Sequence, residues 1–134
     1  MIGLVIVAHG GLARELLAAT EHVVGPQPHA IAISTAPEDD LSAKQTEINQ
    51  AVADVDTGSG VIVATDMFGG TPCNLAIGCM GKTDIDVIYG ANLPMLVKLV
   101  KLRDLTVPEA ADQAIEAGRK YIDGAARMLQ TKTG

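Results

Sequence analysis

The sequence predicts an α/β fold: an open, doubly wound sheet of four parallel strands in the order 2-1-3-4, with helices on both faces. Three observations predict it. Near-continuous apolar runs at residues 4–8, 30–33, 61–64 and 85–89 recur about 25 to 30 residues apart, the pattern of strands buried on both faces. Each run is followed by a stretch with helical spacing, and that alternation requires parallel strands joined by helical crossovers. Right-handed crossovers then leave few arrangements, the common small one placing strand 1 between strands 2 and 3.

The elements follow in chain order. After residues 4–8 come His9, Gly10 and Gly11, then a helical stripe through Leu12, Leu16 and Val23, stopped by Gly25-Pro26. Residues 30–33 form the second strand. Asp39, Asp40 or Ser42 can cap the next helix, whose apolar face is Leu41, Ile48, Val52 and Val55. It ends at Thr57-Gly58-Ser59-Gly60, and the third strand closes on Thr65 and Asp66. Thr71 reads as an N-cap with Pro72 at the first helical position, and that helix is expected to reach Met80, before Gly81. The fourth strand is followed by Gly90-Ala91-Asn92, where Asn92 caps a helix carrying Pro94 and running to about Arg103. Thr106-Val107-Pro108-Glu109 has capping-box spacing and opens a last helical pattern through Ala111, Ala114, Gly118, Ile122 and Ala125. One domain is expected over residues 1–129, with a polar tail at 130–134.

Composition narrows the function. The 134 residues are 48% hydrophobic with one Phe, two Tyr and no Trp, so the core must be aliphatic. A net charge of −6 argues against nucleic acid, whose phosphates need a basic surface, and leaves room for a basic patch on a partner protein. No run approaches the roughly 20 apolar residues of a membrane span. No basic leader precedes the first strand, so a cytoplasmic protein is expected. Cys73 and Cys79 are spaced for neither a zinc pair nor a disulfide.

In open α/β sheets ligands bind at the C-terminal strand ends, where the winding direction switches. Here those ends are His9 and Asp66. Gly10 and Gly11 clear space beside the imidazole, and Gly69 and Gly70 do the same beside the carboxylate. Two glycine-flanked helix starts facing one histidine suit a phosphate-sized anion. A carboxylate accepting the Nδ1 proton leaves Nε2 free as nucleophile. Thr71 offers a hydroxyl and an N–H to phosphoryl oxygens. His22 and His29 read as helix-packing or surface side chains, and Cys73 as a small buried residue. One His and one Asp are too few ligands for zinc, so neither a metal nor another cofactor is expected. The absence of a G-x-x-x-x-G-K-[ST] loop points away from ATP and toward a protein donor of the phosphoryl group. A histidine-phosphatase-like hydrolase is a weaker alternative: Ala8 stands where an arginine would be needed, and no histidine follows His29.

The segments Val5-Ile6-Val7-Ala8-His9-Gly10-Gly11, Thr65-Asp66-Met67-Phe68-Gly69-Gly70-Thr71-Pro72-Cys73-Asn74 and Gly90-Ala91-Asn92-Leu93-Pro94-Met95-Leu96 resemble the mannose-class enzyme IIA (EIIA) domain of the bacterial phosphoenolpyruvate-dependent sugar phosphotransferase system. The resemblance runs over residues 1–129. It implies that His9 is phosphorylated by the phosphocarrier protein HPr and passes the group to an enzyme IIB. It implies that Asp66 hydrogen-bonds the active histidine, and that Thr71 lies near the phosphoryl group. Uptake of a mannose-, fructose- or sorbose-class sugar, a regulatory phosphorelay, and phosphoryl donation to dihydroxyacetone kinase all remain open. It also implies a homodimer exchanging a C-terminal antiparallel edge strand, here near residues 119–126. The helical pattern conflicts with that strand, while the β-suited run Lys120-Tyr121-Ile122 favours it. Phe68 stands where better-known members carry tryptophan.

Overall fold

The computed structural model describes residues 1–81 and 84–133. The elements are β1 (Gly3–His9), α1 (Leu12–Val24), β2 (Ala30–Thr35), α2 (Leu41–Val55), β3 (Val61–Thr65), α3 (Thr71–Ile77), β4 (Ile85–Ile88), α4 (Leu93–Val100), α5 (Val107–Lys120) and α6 (Ala125–Thr133). The sheet has the order β2-β1-β3-β4 and every pairing is parallel, as the alternation predicts.

Alternation along the strands sorts the core into two layers. Leu4, Ile6, Ala8, Ile62 and Ala64 pack under α1, α4 and α5 with Leu96, Leu99 and Ala114. Val5, Val7, Val61 and Val63 pack under α2 and α3 with Ile48, Val52, Val55 and Ala76. Burying an aliphatic side chain of this size is worth about 1.5–3 kcal/mol, so the two central strands carry much of the stability.

Local chemistry sets the helix ends. Asp40 caps α2, accepting from the N–H groups of Ser42 and Ala43. Asn92 caps α4 through Met95 N–H at 3.0 Å and donates to Gly118 O at 3.0 Å, tying α4 to the end of α5. Thr106 and Glu109 form the expected capping box, in which the Thr106 contacts hold the Glu109 carboxyl below its usual range.

Four expectations change. The cap of α3 is Gly70, and Thr71 is the first helical residue with no capping bond from its side chain. The helix stops at Ile77 because Cys79 N–H and Met80 N–H reach back only three residues, to Ala76 O and Ile77 O. The strand expected near residues 119–126 is not formed within this chain. Helix α5 continues to Lys120 because Ala110, Ala111, Ala114 and Gly118 bury a continuous face against the sheet, and α6 begins at Ala125. Helix α6 also runs into the segment 130–134 expected as a tail.

At the edge opposite the strand ends, Arg103 is buried. Its Nε donates to Ile2 O at 2.7 Å, Nη2 to His29 O at 2.7 Å and Nη1 to Gln27 Oε1 at 3.2 Å. Burial lowers its pKa, with nearby Asp104 opposing.

Candidate active site

His9 and Asp66 come together because of strand register. Val7 pairs with Thr65, the last residue of β3, so Asp66 follows level with Ala8, one residue short of His9 at the end of β1. Asp66 Oδ2 accepts the His9 backbone N–H at 3.0 Å and lies 2.8 Å from Nδ1, while Oδ1 accepts Met67 N–H at 3.0 Å. The His9 side chain is 51% exposed and that of Asp66 only 12%. A shielded carboxylate therefore grips the inner nitrogen of a ring whose outer edge faces solvent. Burial pushes the Asp66 carboxyl up, but the His9 backbone N–H, the ring hydrogen bond and the ring charge together outweigh it, and its pKa falls below 3.8.

The ring follows the Val5–Val7 row onto the α3 side of the sheet, which brings it to Gly70. A Cβ built on Gly70 would lie 2.8 Å from His9 Cε1 and 3.2 Å from Nε2. Gly69 beside it has φ +85°, a left-handed conformation that favours glycine. The N–H groups of Gly69, Gly70 and Thr71 and the Thr71 hydroxyl have no hydrogen-bond partner among the described residues. Gly10 differs: it takes φ +55° to turn the chain into α1, and its N–H is engaged by Thr35 O at 2.8 Å.

The surroundings are acidic. The turns and helix starts at this edge (residues 9–15, 35–42, 65–74 and 89–95) hold Glu15, Glu38, Asp39, Asp40 and Asp66 against Arg14, with Lys44 of α2 3.7 Å from Asp39 Oδ2. Exposed Met67, Phe68 and Tyr89 form an apolar patch beside them, with the two rings stacked.

The other titratable candidates lie elsewhere. His22 sits exposed on α1, and the His29 carbonyl serves Leu4 N–H and Arg103. Cys73 and Cys79 are buried and in no disulfide, and the Cys79 thiol donates to Asn49 Oδ1 at 3.0 Å. Among the described residues no three His, Cys, Asp or Glu side chains are grouped to hold a metal ion, and no helix is long and apolar enough to cross a membrane. The ring contact at Gly70 was not visible in the sequence, because a glycine does not announce what fills the space it leaves.

Comparisons with known proteins bear on the family and the fold. A family model described as the PTS system fructose IIA component (EIIA-man) matches residues 3–117. The chain is 34% identical over 124 residues to the PTS system mannose-specific EIIAB component of Escherichia coli K12, covering 90% of this chain but 38% of that protein. Against the PTS system fructose-specific EIIA component of Bacillus subtilis it is 29% identical over 105 residues, 78% of this chain and 72% of that one. The phosphotransferase system component EIIA from Streptococcus agalactiae superposes with a TM-score of 0.85 at 26% identity, covering 95% of this chain and 99% of that one. The mannose/sorbose-specific IIA subunit from Enterococcus faecalis does so with a TM-score of 0.83 at 30% identity, covering 92% and 93%. With the family model matching most of its length, the chain belongs to the EIIA-man family, the IIA components of the mannose, fructose and sorbose class of the sugar phosphotransferase system.

Proposed function

We propose that the chain is a phosphohistidine carrier: His9 accepts a phosphoryl group from phospho-HPr and passes it to an enzyme IIB. The observation that carries this reading is the 2.8 Å contact between Asp66 Oδ2 and His9 Nδ1. It keeps the proton on Nδ1, so the lone pair sits on Nε2 at the exposed edge of the ring. In the transfer, that lone pair attacks phosphorus as the donor's N–P bond breaks, and the donor nitrogen keeps the bonding pair. Asp66 stabilises the positive charge that develops on the imidazole. The second transfer reverses these roles, with the N–P bond on Nε2 breaking toward the acceptor nucleophile.

Little beyond positioning and charge stabilisation is required. The free N–H groups of Gly69, Gly70 and Thr71 and the Thr71 hydroxyl are the donors for the phosphoryl oxygens. Gly10, whose N–H is engaged, contributes the space its missing side chain leaves. The acidic rim fits a basic docking surface on the donor, in the cytoplasm where such carriers meet. The chain spans 38% of the length of the mannose-specific relative, and transport of a mannose-, fructose- or sorbose-class sugar is proposed for the assembly it serves. A homodimer belongs to the same reading. Strand β4 is paired on one side only, and Tyr121 and Ile122, at the end of α5, are exposed apolar side chains that a second copy would cover.

The test is direct. The protein is incubated with phosphoenolpyruvate, enzyme I and HPr, and an acid-labile, alkali-stable phosphate is sought by mass. We expect one phosphate on the wild type and none on His9→Ala. An unlabelled wild type, or full labelling of His9→Ala, overturns the carrier reading.

A further inference from the structure

Gly70 stands at a backbone conformation that asks nothing of glycine. Its φ of −86° and ψ of 169° belong to extended backbone open to any residue. Its neighbour Gly69, by contrast, has φ +85°. What excludes a side chain at position 70 is the histidine: the space a Cβ would need is taken by His9 Cε1 at 2.8 Å and Nε2 at 3.2 Å, with the next atom, Met67 Cγ, at an ordinary 3.7 Å. These two ring atoms form the side of the ring that runs from next to the Asp66-bound Nδ1 out to the reactive nitrogen. The imidazole is held through Nδ1 at 2.8 Å, and its Cε1–Nε2 side fills the space that the missing Gly70 side chain leaves.

We propose that Gly70 is a positioning residue, a backbone wall that fixes the orientation of the His9 ring and so aims Nε2. The ring is tethered at Cγ and hydrogen-bonded at Nδ1, which still leaves it some rocking about the Cα–Cβ and Cβ–Cγ bonds. A backbone surface against its Cε1–Nε2 side narrows that freedom. Half of the side chain's surface faces solvent. Any side chain at position 70 meets Cε1 first and rotates the ring, which stretches the Nδ1 contact and swings Nε2 away. This role is additional to the N–H that Gly70 presents beside those of Gly69 and Thr71. It rests on the carrier reading for its consequence in catalysis, but not for its steric content.

A double-mutant cycle tests the steric content without any phosphoryl donor. Gly70→Ala is made in the wild type and in His9→Ala, and thermal unfolding is followed in all four proteins. We expect Gly70→Ala to lower Tm in the presence of the ring and to be neutral in its absence. An equal loss in both backgrounds overturns the proposal, because the glycine would then answer to the backbone. Should Gly70→Ala alone fail to fold, recovery of a folded protein in the double variant supports the wall, and failure of both removes it.

Two further readouts address aim rather than stability. Nitrogen chemical shifts of the His9 ring are expected to show the proton held on Nδ1 in the wild type and shared between the two nitrogens in Gly70→Ala. An unchanged pattern counts against positioning. The rate of labelling from phospho-HPr is expected to fall on the order of a hundredfold, the cost of a displacement of roughly 1 Å at a reacting atom. If the wild type takes no label, the carrier reading fails while the cycle still decides the wall. If the wild type takes label and Gly70→Ala takes it equally fast, the wall fails while the carrier reading stands.

Discussion

Phe68 and Tyr89 stack against each other with ring centroids 4.9 Å apart and planes 27° from parallel, one on the loop after β3 and the other at the end of β4. They are 64% and 52% exposed, so the pair rests on the outside of the molecule, at the sheet edge that carries His9. Two of the chain's three aromatic residues are thus spent on a surface, with Met67 beside them. Apolar patches rimmed by charge are the usual cores of protein contacts. Phe68→Ala is expected to raise KM for the phosphoryl-donating protein about tenfold with kcat little changed, and to leave His9 labelling by a small donor such as phosphoramidate untouched. Equal slowing with both donors would place Phe68 in the chemistry instead.

Asp66 gives the fold a dependence on acid. Its carboxyl pKa is below the ordinary 3.8 in the folded chain, so the unfolded chain binds the extra proton. The stabilisation is fully present above about pH 4 and is lost as pH falls through the folded value. Asp66→Asn is expected to flatten this acid limb in urea unfolding between pH 2.5 and 6, and to slow His9 labelling at least tenfold. A wild-type acid limb unchanged in Asp66→Asn would mean that other carboxylates set it.

Arg103 predicts a large loss far from the chemistry. Its donors satisfy the carbonyls of Ile2 and His29, where β1 and β2 begin. Arg103→Met keeps the volume and removes the buried charge, but takes the side-chain donor from Ile2 O and Gln27 Oε1 and leaves His29 O with Leu4 N–H alone. The expected cost is about 3 kcal/mol, roughly 10 °C in Tm, with kcat retained at temperatures where the variant is folded. A loss under 1 kcal/mol would show that water replaces the guanidinium.

Thr65 predicts a gain. Its hydroxyl is fully buried on β3 and has no hydrogen-bond partner among the described residues. Thr65→Val replaces it with a methyl of similar shape and is expected to stabilise the protein by about 1 kcal/mol, read by thermal or urea unfolding. Destabilisation would indicate that the hydroxyl is satisfied by solvent reaching the end of β3.

Much of this was legible in the residues. Aliphatic runs at regular spacing are what two-sided burial demands, so the strands, their order and the meeting of His9 with Asp66 could be read before any coordinate. Asn92 and the Thr106–Glu109 box declared their helix starts because side-chain capping needs those residue types. Three features could not be read. Gly70 as the cap of α3 was hidden behind Thr71, the residue whose side chain advertises that role. Buried Arg103 looks like any surface cation until the carbonyls at the sheet's far edge converge on it. The segment at residues 119–126 holds both a helical stripe and a β-suited run, and within one chain the burial of Ala111, Ala114 and Gly118 prolongs the helix.

The pairing of Val7 with Thr65 has a consequence for how such a protein can diversify. The separation of His9 and Asp66 is inherited from the two central strands, not from the turns that follow them. Met67 and Phe68 can therefore be exchanged for other shapes, retuning which proteins dock, while the distance between ring and carboxylate stays where the sheet put it. A shift of one residue in that pairing would do the reverse, leaving the surface recognisable and the histidine facing the wrong side of the sheet.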